Sequence, residues 1–178
     1  MTDQTSNSTL QSNSDHKRNL PGSKLIEITR TFRAPVERVF GAWSKPELVK
    51  QWWGPKRYTA PSVKIDFRVG GKYTFAMQGP DKKIIWSSGV YEEIVPNRKI
   101  VSSDYFSDKD GSMVSAKSVG MPGEWADKLF VTIEFQTVNK DETKMVLAHE
   151  GIPQEMYSEC VKGWTESLGK LQQLIESN

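Results

Sequence analysis

Between Pro153 and Ile175 the chain repeats apolar side chains at helical spacing: Tyr157, Cys160, Val161, Trp164, Leu168, Leu171, Leu174 and Ile175. Steps of three and four place them on one stripe of a single helix, about 34 Å long at 1.5 Å per residue. A helix with one wet face and one long apolar face needs a broad apolar surface to lie on. A multistranded sheet supplies one.

The preceding segments predict that sheet. "SVKIDFRV" sets Val63, Ile65 and Phe67 against Lys64, Asp66 and Arg68. Gly70-Gly71 then turns the chain into "KYTFAMQ", where Tyr73, Phe75 and Met77 alternate with Thr74, Ala76 and Gln78. "IIWSSGVYEEIVP" and "RKIVSSDYFS" predict two strands joined at Pro96-Asn97. "KLFVTIEFQTV" puts Leu129, Val131, Ile133 and Phe135 on one face, and "TKMVLAHE" does the same with Met145, Leu147 and His149. "KLIEITRTF" predicts a further strand ahead of these, ending near Arg33. Alternation that buries one side only belongs to antiparallel sheets.

Two short helices fall between the first strand and the rest. In "APVERVFGAW", Pro35 suits a first helical position, and Val36, Val39, Phe40 and Trp43 share a face. "SKPELVKQWWGP" restarts a helix, with Ser44 and Glu47 at capping-box spacing and Gly54-Pro55 as its stop. Of its paired tryptophans, Trp52 is expected to turn inward beside Leu48 and Val49. Trp53 is expected to pack sideways against the first helix or a neighbouring loop. The predicted class is α+β in the order β-α-α-β6-α, a curved antiparallel sheet wrapped around the long C-terminal helix.

Residues 1–22, "MTDQTSNSTLQSNSDHKRNLPG", hold almost nothing to bury and predict a disordered tail, leaving 23–178 as one domain. The net charge of +2, with no basic cluster among aromatics, argues against a nucleic-acid partner. No apolar run approaches the roughly 18 residues that span a bilayer, so no membrane insertion is expected. One cysteine, Cys160, excludes an internal disulfide framework and suits a reducing compartment, with the cytoplasm as the default.

Seven segments together look familiar: "APVERVFGAWSKPELVKQWWGP", "DFRVGGKYTF", "GVYEEIVPNRKIV", "YFSDKDG", "GMPGEW", "HEGIP" and "GWTESLGKL". Over about residues 24–176 the chain resembles the Activator of Hsp90 ATPase homologue 1-like family of the START-like (Bet v 1-like, SRPBCC) superfamily. The resemblance implies a helix-grip fold with a deep cavity between sheet and C-terminal helix. Superfamily members bind lipids, sterols, polyketides or other apolar molecules there, and some run cyclase or hydrolase chemistry. The eukaryotic activators stimulate the Hsp90 chaperone, a stress-response role, through a two-domain arrangement of which this chain is expected to hold one.

The leading expectation is therefore binding of an apolar or amphipathic small molecule, without a cofactor. Candidate lining residues are Trp52 from the helix pair, and Tyr73, Phe75, Met77, Trp86, Tyr91 and Tyr105 from the middle strands. Met121 is added from a long polar segment. Leu129, Val131, Ile133, Leu147 and His149 come from the last strands, and Tyr157 and Trp164 from the long helix. Polar-tipped rings suit an apolar pocket that needs a few hydrogen-bond handles. An enzyme is the second reading, with His149 as acid or base and Tyr91 or Tyr105 as partner. A chaperone contact is the third. Monomer and homodimer both stay open.

Several motifs have plainer readings. "HEGIP" lacks the second histidine of a zinc motif, so no metal follows. His149 can instead be a hydrogen-bonded residue fixing the turn at Gly151-Ile152-Pro153. "SDKDGS" (107–112) departs from calcium-loop spacing and predicts a turn. Asp66 and Arg68 read as an outward pair, Glu92-Glu93 as strand edge or bulge, and Cys160 as core. The segment 107–125 exceeds an ordinary hairpin loop and carries Met113, Val114, Val119, Met121 and Trp125. It is either a lid over a pocket mouth or a plain excursion.

Overall fold

The computed structural model describes residues 21–177. The predicted tail lies outside them except for Pro21 and Gly22. Strand β1 (Ser23–Phe32) is followed by helices α1 (Val36–Ser44) and α2 (Pro46–Trp52). Six strands come next: β2 (Val63–Ile65), β3 (Lys72–Gln78), β4 (Ile84–Val95), β5 (Lys99–Ser107), β6 (Leu129–Asn139) and β7 (Glu142–Pro153). Helix α3 (Tyr157–Glu176) closes the order predicted above.

The strands form a curved antiparallel sheet in the order β1-β7-β6-β5-β4-β3-β2, so β1 joins the edge beside β7. Register shifts at Lys24/Leu25, Tyr91/Glu93 and Thr137/Asn139 add local twist. Gly89 marks the closest approach within it: a Cβ there would run into the Ser103 carbonyl and the Tyr73 hydroxyl. Glu92-Glu93 sits at the second shift, which makes it a bulge rather than a strand edge.

One half of the sheet–helix sandwich is solid. Phe32, Val39, Met145, Leu147, Leu168 and Leu171 are all fully buried in a single cluster. Each such side chain contributes about 1.5–3 kcal/mol of burial.

Local boundaries differ from expectation for physical reasons. Pro35 is the N-cap of α1 rather than its first helical residue. Ser44 ends α1, its Oγ donating to the Gly41 carbonyl at 3.2 Å, so no capping box forms with Glu47. Lys45 caps α2 instead, and Pro46 takes the first helical position, where its missing N–H costs nothing. Strand β2 stops at Ile65 because the Asp66 N–H bonds the Lys72 carbonyl and opens a tight turn. Asp66 and Arg68 pair across that exposed turn at 2.9 Å, while Phe67 packs inward on Phe40 and Tyr91. Helix α3 begins at Tyr157, not Pro153, because Gly151–Pro153 remain in β7 and Gln154–Met156 form one 3-10 turn.

Candidate functional site: an aromatic chamber under the C-terminal helix

The other half of the sandwich is hollow. A chamber of about 210 Å³ lies between β3–β7 and the first turns of α3. It opens into a vestibule of about 550 Å³ between α3 and the chain from Trp53 to Tyr58. Trp53, Met77, Ile85, Met121, His149, Cys160 and Trp164 border both spaces, so the two are continuous.

Rings brace one another around the chamber. Trp52 is fully buried, and its Nε1 donates to the Ala42 carbonyl at 3.0 Å, locking α2 to α1. Trp43 packs edge-on to Trp52 at 4.6 Å. Trp53, expected to pack sideways against α1 or a loop, stands edge-on to Phe75 at 4.8 Å and to Trp164 at 5.6 Å. Trp53 can face inward because it has left the helix as its extended C-cap, before the positive φ of Gly54 turns the chain. Lys170 fastens this turn to α3, its Nζ donating to the carbonyls of Tyr58 (3.1 Å), Pro55 (3.4 Å) and Trp53 (3.5 Å). Burial holds its ammonium below the usual lysine pKa.

A polar cluster is set into the apolar wall. The Trp164 Nε1–H donates to His149 Nδ1 at 3.0 Å, so neutral His149 carries its proton on Nε2. That Nε2 faces Asp104 Oδ2 at 3.5 Å. The Tyr73 hydroxyl lies 2.9 Å from both Asp104 Oδ1 and the Ser103 carbonyl and shares its one proton between them. Burial first, and then the Asp104 carboxylate, hold the Tyr73 pKa well above its ordinary value. Burial also raises Tyr91. Burial, with help from Glu159 and Asp104, pushes the Cys160 thiol up to about 11.

The structure brings together Trp52, Tyr73, Phe75, Met77, Tyr91, Met121, Val131, Ile133, His149 and Trp164 on the chamber wall. Trp86, Tyr105, Leu129, Leu147 and Tyr157 are elsewhere. Trp86 sits between Ile85 and Ser87, and Tyr105 between Asp104 and Phe106; those neighbours face the chamber, so alternation turns both rings to the other face. Leu147 belongs to the solid core. Leu129 forms a second cluster with Ile26 and Ile152, against which Tyr157 packs. Cys160 is half-buried on the chamber wall rather than inside the core.

From the long segment after β5, Met121 and Trp125 reach the chamber, and Trp125 packs edge-on to Phe106 at 5.1 Å. Met113 stays exposed. The turn of 107–112 is closed by Asp108, whose Oδ1 accepts from the N–H groups of Asp110 and Ser112. Sequence reasoning missed Trp43, Ser102, Asp104 and Phe106. Period-2 spacing from Ile100 puts the last three on one face of β5, but nothing in the sequence marks that face over the other.

No helix among the described residues is long and apolar enough to cross a membrane. No curated protein matches the chain. Solved structures do. A Chromobacterium violaceum protein is 28% identical, with a TM-score of 0.72 over 89% of this chain and 100% of its own. A Silicibacter pomeroyi protein described as AHSA1 is 20% identical, with a TM-score of 0.66 over 84% and 95%. CalU16 of Micromonospora echinospora is 24% identical, with a TM-score of 0.61 over 89% and 82%. The latter two carry the likeness of fold. Residues 33–176 match the family described as Activator of Hsp90 ATPase homolog 1-like protein. With its helix-grip architecture and that match over most of its length, the chain belongs to this family, within the START-like superfamily.

Proposed function

We propose that the chain binds a small, largely apolar molecule between the curved sheet and the N-terminal half of α3. The observation that carries this reading is the ring-lined chamber continuous with an open vestibule, in a fold whose other half is packed solid. A cavity of about 150 Å³ with apolar walls already admits a benzene ring, so 210 Å³ suits one ring with a short substituent.

The polar groups favour holding a molecule over converting one. His149 Nδ1 is taken by Trp164, and Nε2 carries a proton facing a carboxylate, which leaves no lone pair to act as a base. The Cys160 thiol stays protonated at neutral pH.

The test is a panel of aromatic and short-chain lipid compounds, read by thermal unfolding and native mass spectrometry. A genuine ligand at 100 times its Kd should stabilise the fold by about 2.7 kcal/mol. Failure of every compound to shift either readout would sink the reading.

A further inference from the structure

Two buried side-chain nitrogens among the described residues have no hydrogen-bond partner in the protein: Trp43 Nε1 and His149 Nε2. Both residues are only 8% exposed, and both line the chamber. An orphaned buried donor is costly, and both of these residues border the one chamber, from which a bound group would supply the missing acceptor. The chamber wall also carries an acceptor. Asp104 Oδ2 lies 3.5 Å from His149 Nε2, beyond the usual 2.7–3.2 Å of an N–H···O bond. The other Asp104 oxygen is occupied by Tyr73.

The wall thus offers an N–H donor and a carboxylate acceptor side by side, with their polarity set by Trp164. A neutral hydroxyl satisfies both, accepting from His149 Nε2 and donating to Asp104 Oδ2. A carbonyl uses only the donor. A carboxylate meets the charge of Asp104. An ammonium pairs with Asp104 but leaves the His149 N–H facing a second donor. We propose that Asp104 and His149 form the polar anchor of the chamber and select a neutral hydroxyl, an alcohol or phenol, on a ligand of one ring or similar size. The proposal rests on the binding reading above and specifies its ligand class.

The experiment uses the full chain and four probes on one ethylphenyl frame, differing in their para group: 4-ethylphenol, ethylbenzene, 4-ethylbenzoate and 4-ethylbenzylammonium. Affinities come from NMR titration, which also follows the indole N–H signals of Trp43 and Trp164. The phenol is expected to bind about tenfold or more tightly than each of the others, since it adds a hydrogen bond to a charged group. Asp104→Leu should remove that preference and keep ethylbenzene binding. The four-probe ranking in the unaltered chain stands on its own if that variant does not fold.

Equal affinity for phenol and ethylbenzene overturns the anchor and leaves the binding reading intact. Tightest binding by the ammonium or the benzoate also overturns it, assigning the cluster to a charged group. Binding by none of the four overturns the anchor together with its ligand size. The broader panel then decides the binding reading separately.

Discussion

The two halves of α3 lie on one sheet and meet opposite surroundings. Toward Glu176, Leu168, Leu171 and Ile175 are at most 2% exposed, in the same buried cluster as Phe32, Val39 and Met145. Toward Tyr157, Cys160 and Trp164 border open space. Both regions are apolar, so hydrophobicity does not separate them. Side-chain shape does. Around the chamber the rings stand edge-on to one another at 4.6–5.6 Å, and rigid rings braced in this way cannot close the space between them as flexible aliphatic side chains can.

The largest expected effect falls in the solid half. Leu171→Ala should cost about 2–5 kcal/mol in urea unfolding, because its neighbours cannot collapse onto the void. A loss below 1 kcal/mol would erase the distinction between the halves. Adding volume sharpens it. Val39→Phe, in the solid half, should cost about 1–3 kcal/mol, whereas Val131→Phe grows into the chamber and should cost less than about 1 kcal/mol while abolishing probe binding. Equal costs would show that the chamber is not free volume.

The smallest effect comes from pH. With its pKa raised from 9.0 to about 11, Cys160 in the native state should hold about 100-fold less thiolate at pH 8 than in the unfolded chain. Alkylation should slow accordingly. The native state keeps the proton longer than the unfolded state, so this contribution to stability is full below pH 9 and is lost as pH rises toward 11. Alkylation at equal rates in native and urea-unfolded protein would contradict the buried placement of the thiol.

Much of the fold was legible because its elements are strongly periodic. The α3 stripe and the β6 and β7 alternation each bury one face, and burial against a partner is what periodicity records. Caps and ends were less legible. Ser44 has the side chain of a cap, but Pro46 moves the helix start past it. In the site, Tyr73, Phe75 and Met77 were readable because their alternate neighbours are less apolar. In β5 the rule has no purchase. Ile100, Ser102, Asp104 and Phe106 face the chamber, and Val101, Ser103 and Tyr105 face away, two rows of similar apolarity. A site that needs a carboxylate in its wall inverts the pattern that reveals cores. Asp104 was therefore invisible, and Tyr105 was taken in its place.

The pairing of β1 with β7 sets a timetable. Ser23 lies opposite Pro153 and Phe32 opposite Thr143, so β1 cannot pair until β7 has been made. The hairpins from β2 to β7 can close as they emerge, since each pairs with its neighbour in sequence. Ile26 and Phe32 have no sheet to join until β7 is complete, and the hollow and solid faces alike stay open until α3 follows. Closing β1 onto β7 makes a long-range contact, which is expected to form more slowly than the local hairpins. During synthesis the ring-lined face meets the cell before the helix that roofs it.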